Sequence, residues 1–166
     1  MIEIYTDGGC SGNPGPGGYG IIVIINNKLE HAISSQSIDT TNNREELKAI
    51  IEAYKLVKQY YNDRDVIIKS DSAYCINMIK SWIWKWATND WKGSNKKTVE
   101  NLDLVQELYQ YLQGFNNIGV EKVPGHSNIV GNELADAAAT QNYIKMKKIL
   151  EENDINYEGF DFLEKF

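Results

Sequence analysis

Cysteine is scarce in this chain: Cys10 and Cys75 are the only two among 166 residues, and they form neither a disulfide framework nor a C-x-x-C pair. A reducing, cytosolic setting is the expectation. Histidine is as rare, at His31 and His126, so no Cys/His cluster of the kind that holds zinc is present. No apolar run reaches the roughly 18 residues of a membrane span. Glu3 and Asp7 also stand where a secretory leader needs a basic and then an apolar stretch. The expectation is a soluble, cytoplasmic protein with no membrane contact. Positive charge is in deficit as well. Against 23 acids there are 17 bases, giving a net charge of −6 and a pI near 5.0, which excludes an indiscriminate basic nucleic-acid binder. A polyanion can be handled only through a local basic patch, or through cations recruited to carboxylates. The HExxH, G-x-S-x-G and Walker A patterns are missing, which leaves zinc-protease, serine-hydrolase and P-loop chemistry without support.

What is present suffices for one core: 42% of residues are hydrophobic, and no repeat or Pro/Gly/Ser linker divides the chain. Ile2 to Tyr5, Tyr19 to Ile25 and Leu29 to Ser37 read as three antiparallel strands, with Asn26-Asn27 as a turn. From Asn43 the period changes. Leu47, Ile50, Ile51, Tyr54 and Val57 share one face of an amphipathic helix. Val66-Ile67-Ile68 reads as a buried strand ending at Ser70-Asp71, followed by a short helix through Ile79. Lys80 to Thr98 then breaks the pattern with all four tryptophans and a local charge of +4. A helix around Leu102 to Leu112, a fifth strand over 119–123 and one last helix from Gly131 to about Leu150 complete the expectation. This order implies an α/β fold, a mixed sheet covered by helices, with any site at the ends of its central strands.

Gly15-Pro16-Gly17-Gly18-Tyr19-Gly20 satisfies G-x-G-x-x-G, but a strand-forming run follows where a dinucleotide site needs a helix, so it reads as a glycine-rich loop between strands. Asp7, before Gly8-Gly9, closes the first strand, either as a turn former or as an exposed ligand. Asp71 repeats the arrangement, with a helix N-cap as its ordinary alternative. If their strands are neighbours, the two like charges raise a pKa or recruit a divalent cation. Glu46 fits a capping box with Asn43. Asp136 lies in the alanine-rich helix Asn132 to Ala139, on a face uncomfortable for an acid without solvent or a cation. His126 sits on the loop Pro124-Gly125-His126-Ser127, where a solvated side chain is the ordinary reading. Asp7, Glu46, Asp71 and Asp136 form an all-oxygen set, which prefers Mg²⁺ or Mn²⁺ to Zn²⁺.

Together these segments resemble the type 1 ribonuclease H family, from about Ile2 to Ala139. Tyr5-Thr6-Asp7-Gly8-Gly9-Cys10 with Gly12 to Gly20 is similar to its first hairpin, and Thr40 to Leu47 to the start of its first helix. Ser70 to Tyr74 is similar to its fourth strand end, and Val123 to His126 with Asn132 to Asp136 to its catalytic loop and last helix. The resemblance implies a ribonuclease H-like fold, with three antiparallel strands plus two parallel ones flanked by helices, and a basic handle at about 80–98. Residues 1–142 would be the ribonuclease H domain and 143–166 a C-terminal extension covering the domain or docking a partner.

It further implies a monomeric endoribonuclease that cuts the RNA strand of RNA·DNA hybrids with two Mg²⁺ ions, Mn²⁺ being a possible substitute, and leaves 5′-phosphate and 3′-hydroxyl ends. Asp7, Glu46, Asp71 and Asp136 would hold the ions, and His126 would assist proton traffic or release. Asn13, Thr41, Asn42 and Asn43 match positions that meet the hybrid. Trp82, Lys85, Lys92, Lys96 and Lys97 match the handle that grips the DNA strand. Ala73 stands where relatives often have a polar residue, and the handle has no arginine, which implies a weaker grip. A hybrid-binding module without catalysis is the alternative, and a transposase-like polynucleotidyl transferase a third reading.

Overall fold

The computed structural model describes residues 1–166. Its centre is a five-stranded sheet in the order β3-β2-β1-β4-β5, formed by β1 (Ile2–Cys10), β2 (Gly15–Ile25), β3 (Lys28–Thr40), β4 (Val66–Ser70) and β5 (Ile118–Lys122). The first three strands are antiparallel, while β4 runs parallel to both β1 and β5. The mixed three-plus-two sheet expected above is the one observed.

Strand alternation gives the sheet two apolar faces. Ile2, Ile4, Ile21, Val23 and Ile68 point to one side and meet Leu47, Ile50 and Tyr54 of α1 (Asn42–Tyr60) and Val105 and Leu108 of α4 (Leu102–Gly114). Ile22 and Leu29 point to the other side. There they meet Leu134 and Ala138 of α5 (Val130–Ala139), Met146 and Leu150 of α6 (Tyr143–Glu152), and Leu163 of α7 (Asp161–Glu164). The last 24 residues thus complete the second face, which makes cover for the domain their structural role.

Several boundaries differ from the sequence reading. The glycine run at 15–20 is not a loop but the first half of β2, and β1 continues through Asp7 to Cys10, so Asp7 lies within a strand rather than at its turn. The registers Asp7↔Gly20 and Gly9↔Gly18 explain this: small residues let helices lie directly on that part of the sheet. A Cβ on Gly20 would run into the Ala135 carbonyl and the Ala138 methyl group of α5. Lys80 does not end a helix. The chain passes from α2 (Ala73–Asn77) through a π-helical turn (Met78–Trp82) into α3 (Ile83–Ala87), because Met78, Ile79 and Ile83 continue the buried face. The single last helix is two: Gln141 takes a left-handed φ of 54°, and the Asn142 side chain accepts from Lys145 N at 3.2 Å to start α6.

Replacing Gly20 by Ala is expected to push α5 off the sheet and cost about 1–3 kcal/mol. The check is a lower urea midpoint with an unchanged denaturation slope.

Candidate active site

Three carboxylates converge at the ends of the central strands. Asp7 comes from β1, Glu46 from α1 and Asp71 from the residue following β4, and each offers an oxygen within 4.8 Å of the others. Asp136 of α5 borders the same cleft, of about 210 Å³, together with Gly8, His126 and Asn132.

Local chemistry explains each placement. Thr41 caps α1, its Oγ1 accepting from Arg44 N at 3.2 Å, so the Asn43–Glu46 capping box does not form and Glu46 is free to turn toward the sheet. There its Oε1 accepts from Gly8 N at 2.5 Å and its Oε2 from Ser70 Oγ at 3.3 Å. Gly8 has no side chain because none fits: a Cβ there would meet the Glu45–Glu46 peptide unit. At the end of β4 the cap of α2 is Ser72, whose Oγ accepts from Cys75 N at 3.1 Å. Asp71 is therefore released from the N-cap role and faces the cleft. The neighbouring acid Glu45, fully buried, is spent structurally on Thr40 Oγ1 and Lys48 Nζ, both at 2.8 Å.

The electrostatics are those of crowded like charges. Burial, then the charges of Glu46 and Asp71, push Asp7 far above the ordinary carboxylate range. Burial and Asp71 raise Glu46 to about 7, against the hydrogen bonds from Gly8 and Ser70 that favour its charged form. Oxygen-only donors, mutual repulsion and the buried Asn132 Oδ1 without a hydrogen-bond partner in the same cleft together fit divalent cations of the Mg²⁺ type.

A second cleft of about 430 Å³ runs on from Asp7 and Asp136 past Gly8 to Ser11, Gln36, Asn42 and Thr140. Its floor is fixed by Asn42, whose Oδ1 accepts from Cys10 N at 2.8 Å, and by Asn13, whose Oδ1 accepts from Asn42 N at 3.0 Å. Asn43 is exposed beside them and Thr41 is half-buried. His126 is exposed on its loop with a left-handed φ of 52°.

The protruding segment lies outside both clefts. Lys80, Lys85, Lys92, Lys96 and Lys97 are exposed. Trp82 is half-buried between Tyr74 and Trp86, with ring centroids 6.1 and 6.0 Å away, and Trp91 packs edge-on against Tyr109 of α4. The most exposed tryptophan is Trp84, at 42%, its Nε1 donating to Ile79 O at 2.7 Å. A bidentate pair between Arg44 and Asp103, at 3.0 and 2.8 Å, fastens the start of α1 to the start of α4 and holds the Asp103 carboxyl down at about 2. Asn101 continues the tie by donating to Tyr74 OH at 3.1 Å.

Sequence reasoning missed Gly8, Ser70, Asn132 and Lys145 as site groups. Ser70 was legible in part, being the inward residue before Asp71. Lys145 gave no signal, because only the reversal at Gln141 returns α6 to Asp136, where Lys145 Nζ lies 3.6 Å from Oδ2.

Comparison with known proteins agrees with the fold. The RNase H family model matches residues 1–144. A ribonuclease H of Orientia tsutsugamushi is 44% identical over 153 residues, 92% of this chain and 88% of that protein. One from Acetivibrio thermocellus is 45% identical over 148 residues, 89% and 97% of the two chains. Among solved structures, LC9-RNase H1, a type 1 RNase H with the type 2 active-site motif, superimposes with a TM-score of 0.69 at 30% identity, covering 84% of this chain and 72% of that one. A foamy viral protease-reverse transcriptase in complex with dsDNA gives 0.74 at 26% identity, covering 84% and 92%.

Because the folded-state pKa values of Asp7 and Glu46, about 10 and about 7, lie above their unfolded values, the folded chain binds more protons between about pH 4 and 10, and stability falls as pH rises through that window. Without divalent cations, Asp7→Asn is expected to flatten that fall and stabilise the protein at pH 8 by about 1–3 kcal/mol. Urea titrations of both proteins at pH 5 and pH 8 in chelator provide the check; equal stabilities at pH 8 would remove the repulsion from the account.

Proposed function

The chain belongs to the ribonuclease H family of enzymes, and on that footing we propose that it hydrolyses the RNA strand of RNA·DNA hybrids, leaving 5′-phosphate and 3′-hydroxyl ends. The observation that carries this reading is the approach of Asp7, Glu46 and Asp71 to within 4.8 Å at the head of a longer cleft. With Asp136 they would hold two Mg²⁺ ions, or Mn²⁺ in their place. When bound, such ions polarise the phosphodiester, lower the pKa of water and stabilise the leaving oxygen.

The residues of the chain supply the rest. Gly8 N and Ser70 Oγ fix both oxygens of Glu46, so its carboxylate is oriented before substrate arrives. His126, exposed on the loop at the rim, takes or delivers a proton and helps product leave. Asn42 lines the second cleft and Asn13 is hydrogen-bonded to it; with Thr41 and Asn43 beside Asn42 in the chain, they read the minor groove, where a row of 2′-hydroxyls distinguishes RNA from DNA. Lys85, Lys92, Lys96 and Lys97 hold phosphates of the DNA strand. Trp82, half-buried, supports this segment and offers an edge to the hybrid rather than a full stacking face. Within this reading residues 1–142 are the catalytic domain, 80–98 its handle and 143–166 its C-terminal extension. The protein acts in the cytoplasm as a monomer. No helix is long and apolar enough to cross a membrane.

Asp71→Asn is expected to reduce cleavage of a labelled hybrid by at least about 10³-fold, as removal of an essential transition-state charge does, while circular dichroism stays unchanged. Cutting at the parental rate, or equal cutting of single-stranded RNA by the parent, would sink the mechanism. Lys96→Ala with Lys97→Ala is expected to reduce the slope of log affinity against log salt by about 1–2 with little change in saturated turnover. An identical slope would remove the handle from substrate binding.

A further inference from the structure

Of the four carboxylates at the site, Asp136 alone is paired with a cation of the chain itself: Lys145 Nζ stands 3.6 Å from its Oδ2, and no basic group pairs with Asp7, Glu46 or Asp71. The lysine reaches this position from a rigid base. It lies in the first turn of α6, with its backbone N–H bonded to Asn142 Oδ1, while Asn142 N donates to Ala137 O at 2.8 Å, next to Asp136 in α5. The following residue, Met146, is buried, and Ile149 and Leu150 seat the same helix on Ile22, Leu29 and Leu134. The other lysines of α6 are directed elsewhere: Lys147 donates to the Phe166 carbonyl, and Lys148 pairs with Glu152 at 3.9 Å. One ammonium group, mounted on a helix seated on the core by its other face, thus stands against the carboxylate that borders the cleft.

We propose that Lys145 is a built-in counter-ion for Asp136 that a divalent cation must outcompete, so that the C-terminal segment sets the metal concentration the site requires. This rests on the reading of Asp136 as a metal ligand. Without metal the ammonium offsets the charge of Asp136. When a cation approaches, the same ammonium is a like charge a few ångströms away, and it must swing out on its flexible stem. The Asp136 and Lys145 side chains are 35% and 46% exposed, so water screens the interaction and the expected effect is a few-fold one rather than a switch.

The test uses the full chain and Mg²⁺ alone, titrated by calorimetry and by thermal shift at fixed ionic strength. Lys145→Gln is expected to bind Mg²⁺ about 3–10-fold more tightly than the parent, and Lys145→Met likewise, while Lys145→Arg stays within about two-fold because it keeps the charge. In an Asp136→Asn background the gain from Lys145→Gln is expected to shrink, since only the direct repulsion between ammonium and cation then remains. Raising monovalent salt is expected to narrow the gap between parent and Lys145→Gln. An unchanged or weaker midpoint in Lys145→Gln, or the same gain in the Asp136→Asn background, overturns the counter-ion role. Hybrid cleavage is scored separately: a parent that binds Mg²⁺ but cuts no hybrid fails the proposed function, while the calorimetric comparison still decides the role of Lys145.

Discussion

The arrangement depends on like charges being held together against their own repulsion. Asp7, Glu46 and Asp71 repel one another when ionised, and two of them are pushed well above the ordinary carboxylate range by burial and by their neighbours' charges. What holds them is apolar packing elsewhere, chiefly α1 pressed onto the sheet by Leu47, Ile50 and Tyr54. At Gly8 the helix backbone comes so near that a single Cβ would separate the two. The hydrogen bond from Gly8 N to Glu46 exists only because of this approach. Stability supplied by the core is therefore stored locally as unfavourable charge density, which a divalent cation relieves on binding.

The same logic accounts for how the surroundings are fastened. The Arg44–Asp103 pair and the Asn101–Tyr74 bond join the start of α1 to α4 and α2, so the helix that carries Glu46 and the segment that carries the exposed lysines share one support. The tryptophans take part in this support. Trp82, Trp86 and Trp91 pack on Tyr74 and Tyr109 and give the protrusion a stiff root.

Much of this was legible in the sequence because it follows from short-range rules. Runs of β-prone and apolar residues located all five strands and a 3.6-residue pattern located α1, while Asp7 and Asp71 drew notice at strand ends, Glu46 at a helix start and Asp136 as an acid on an alanine-rich face. The misreadings have a common cause. The glycines at 15–20 suggested a loop because their small size reads as flexibility, whereas here it serves helix-on-sheet contact at Gly20. The capping box at Asn43 failed because Thr41, two residues earlier, caps instead, and Glu46 found better donors across the sheet. Lys145 and Asn132 were invisible as site groups since only tertiary proximity gives them meaning.

The carboxylates are drawn from both sides of the sheet. Glu46 belongs to the layer of α1 and α4, and Asp136 to the layer of α5 whose outer cover is the last 24 residues. The two layers have separate apolar clusters, and the smaller one holds 11 buried residues against 21. Any partial opening that begins at the chain end loosens the smaller layer and carries Asp136 away, while the other three acids remain in register. The site is thereby a gauge of the intactness of the whole molecule: a chain that is nearly folded, with most of its secondary structure in place, already lacks one wall of its cleft.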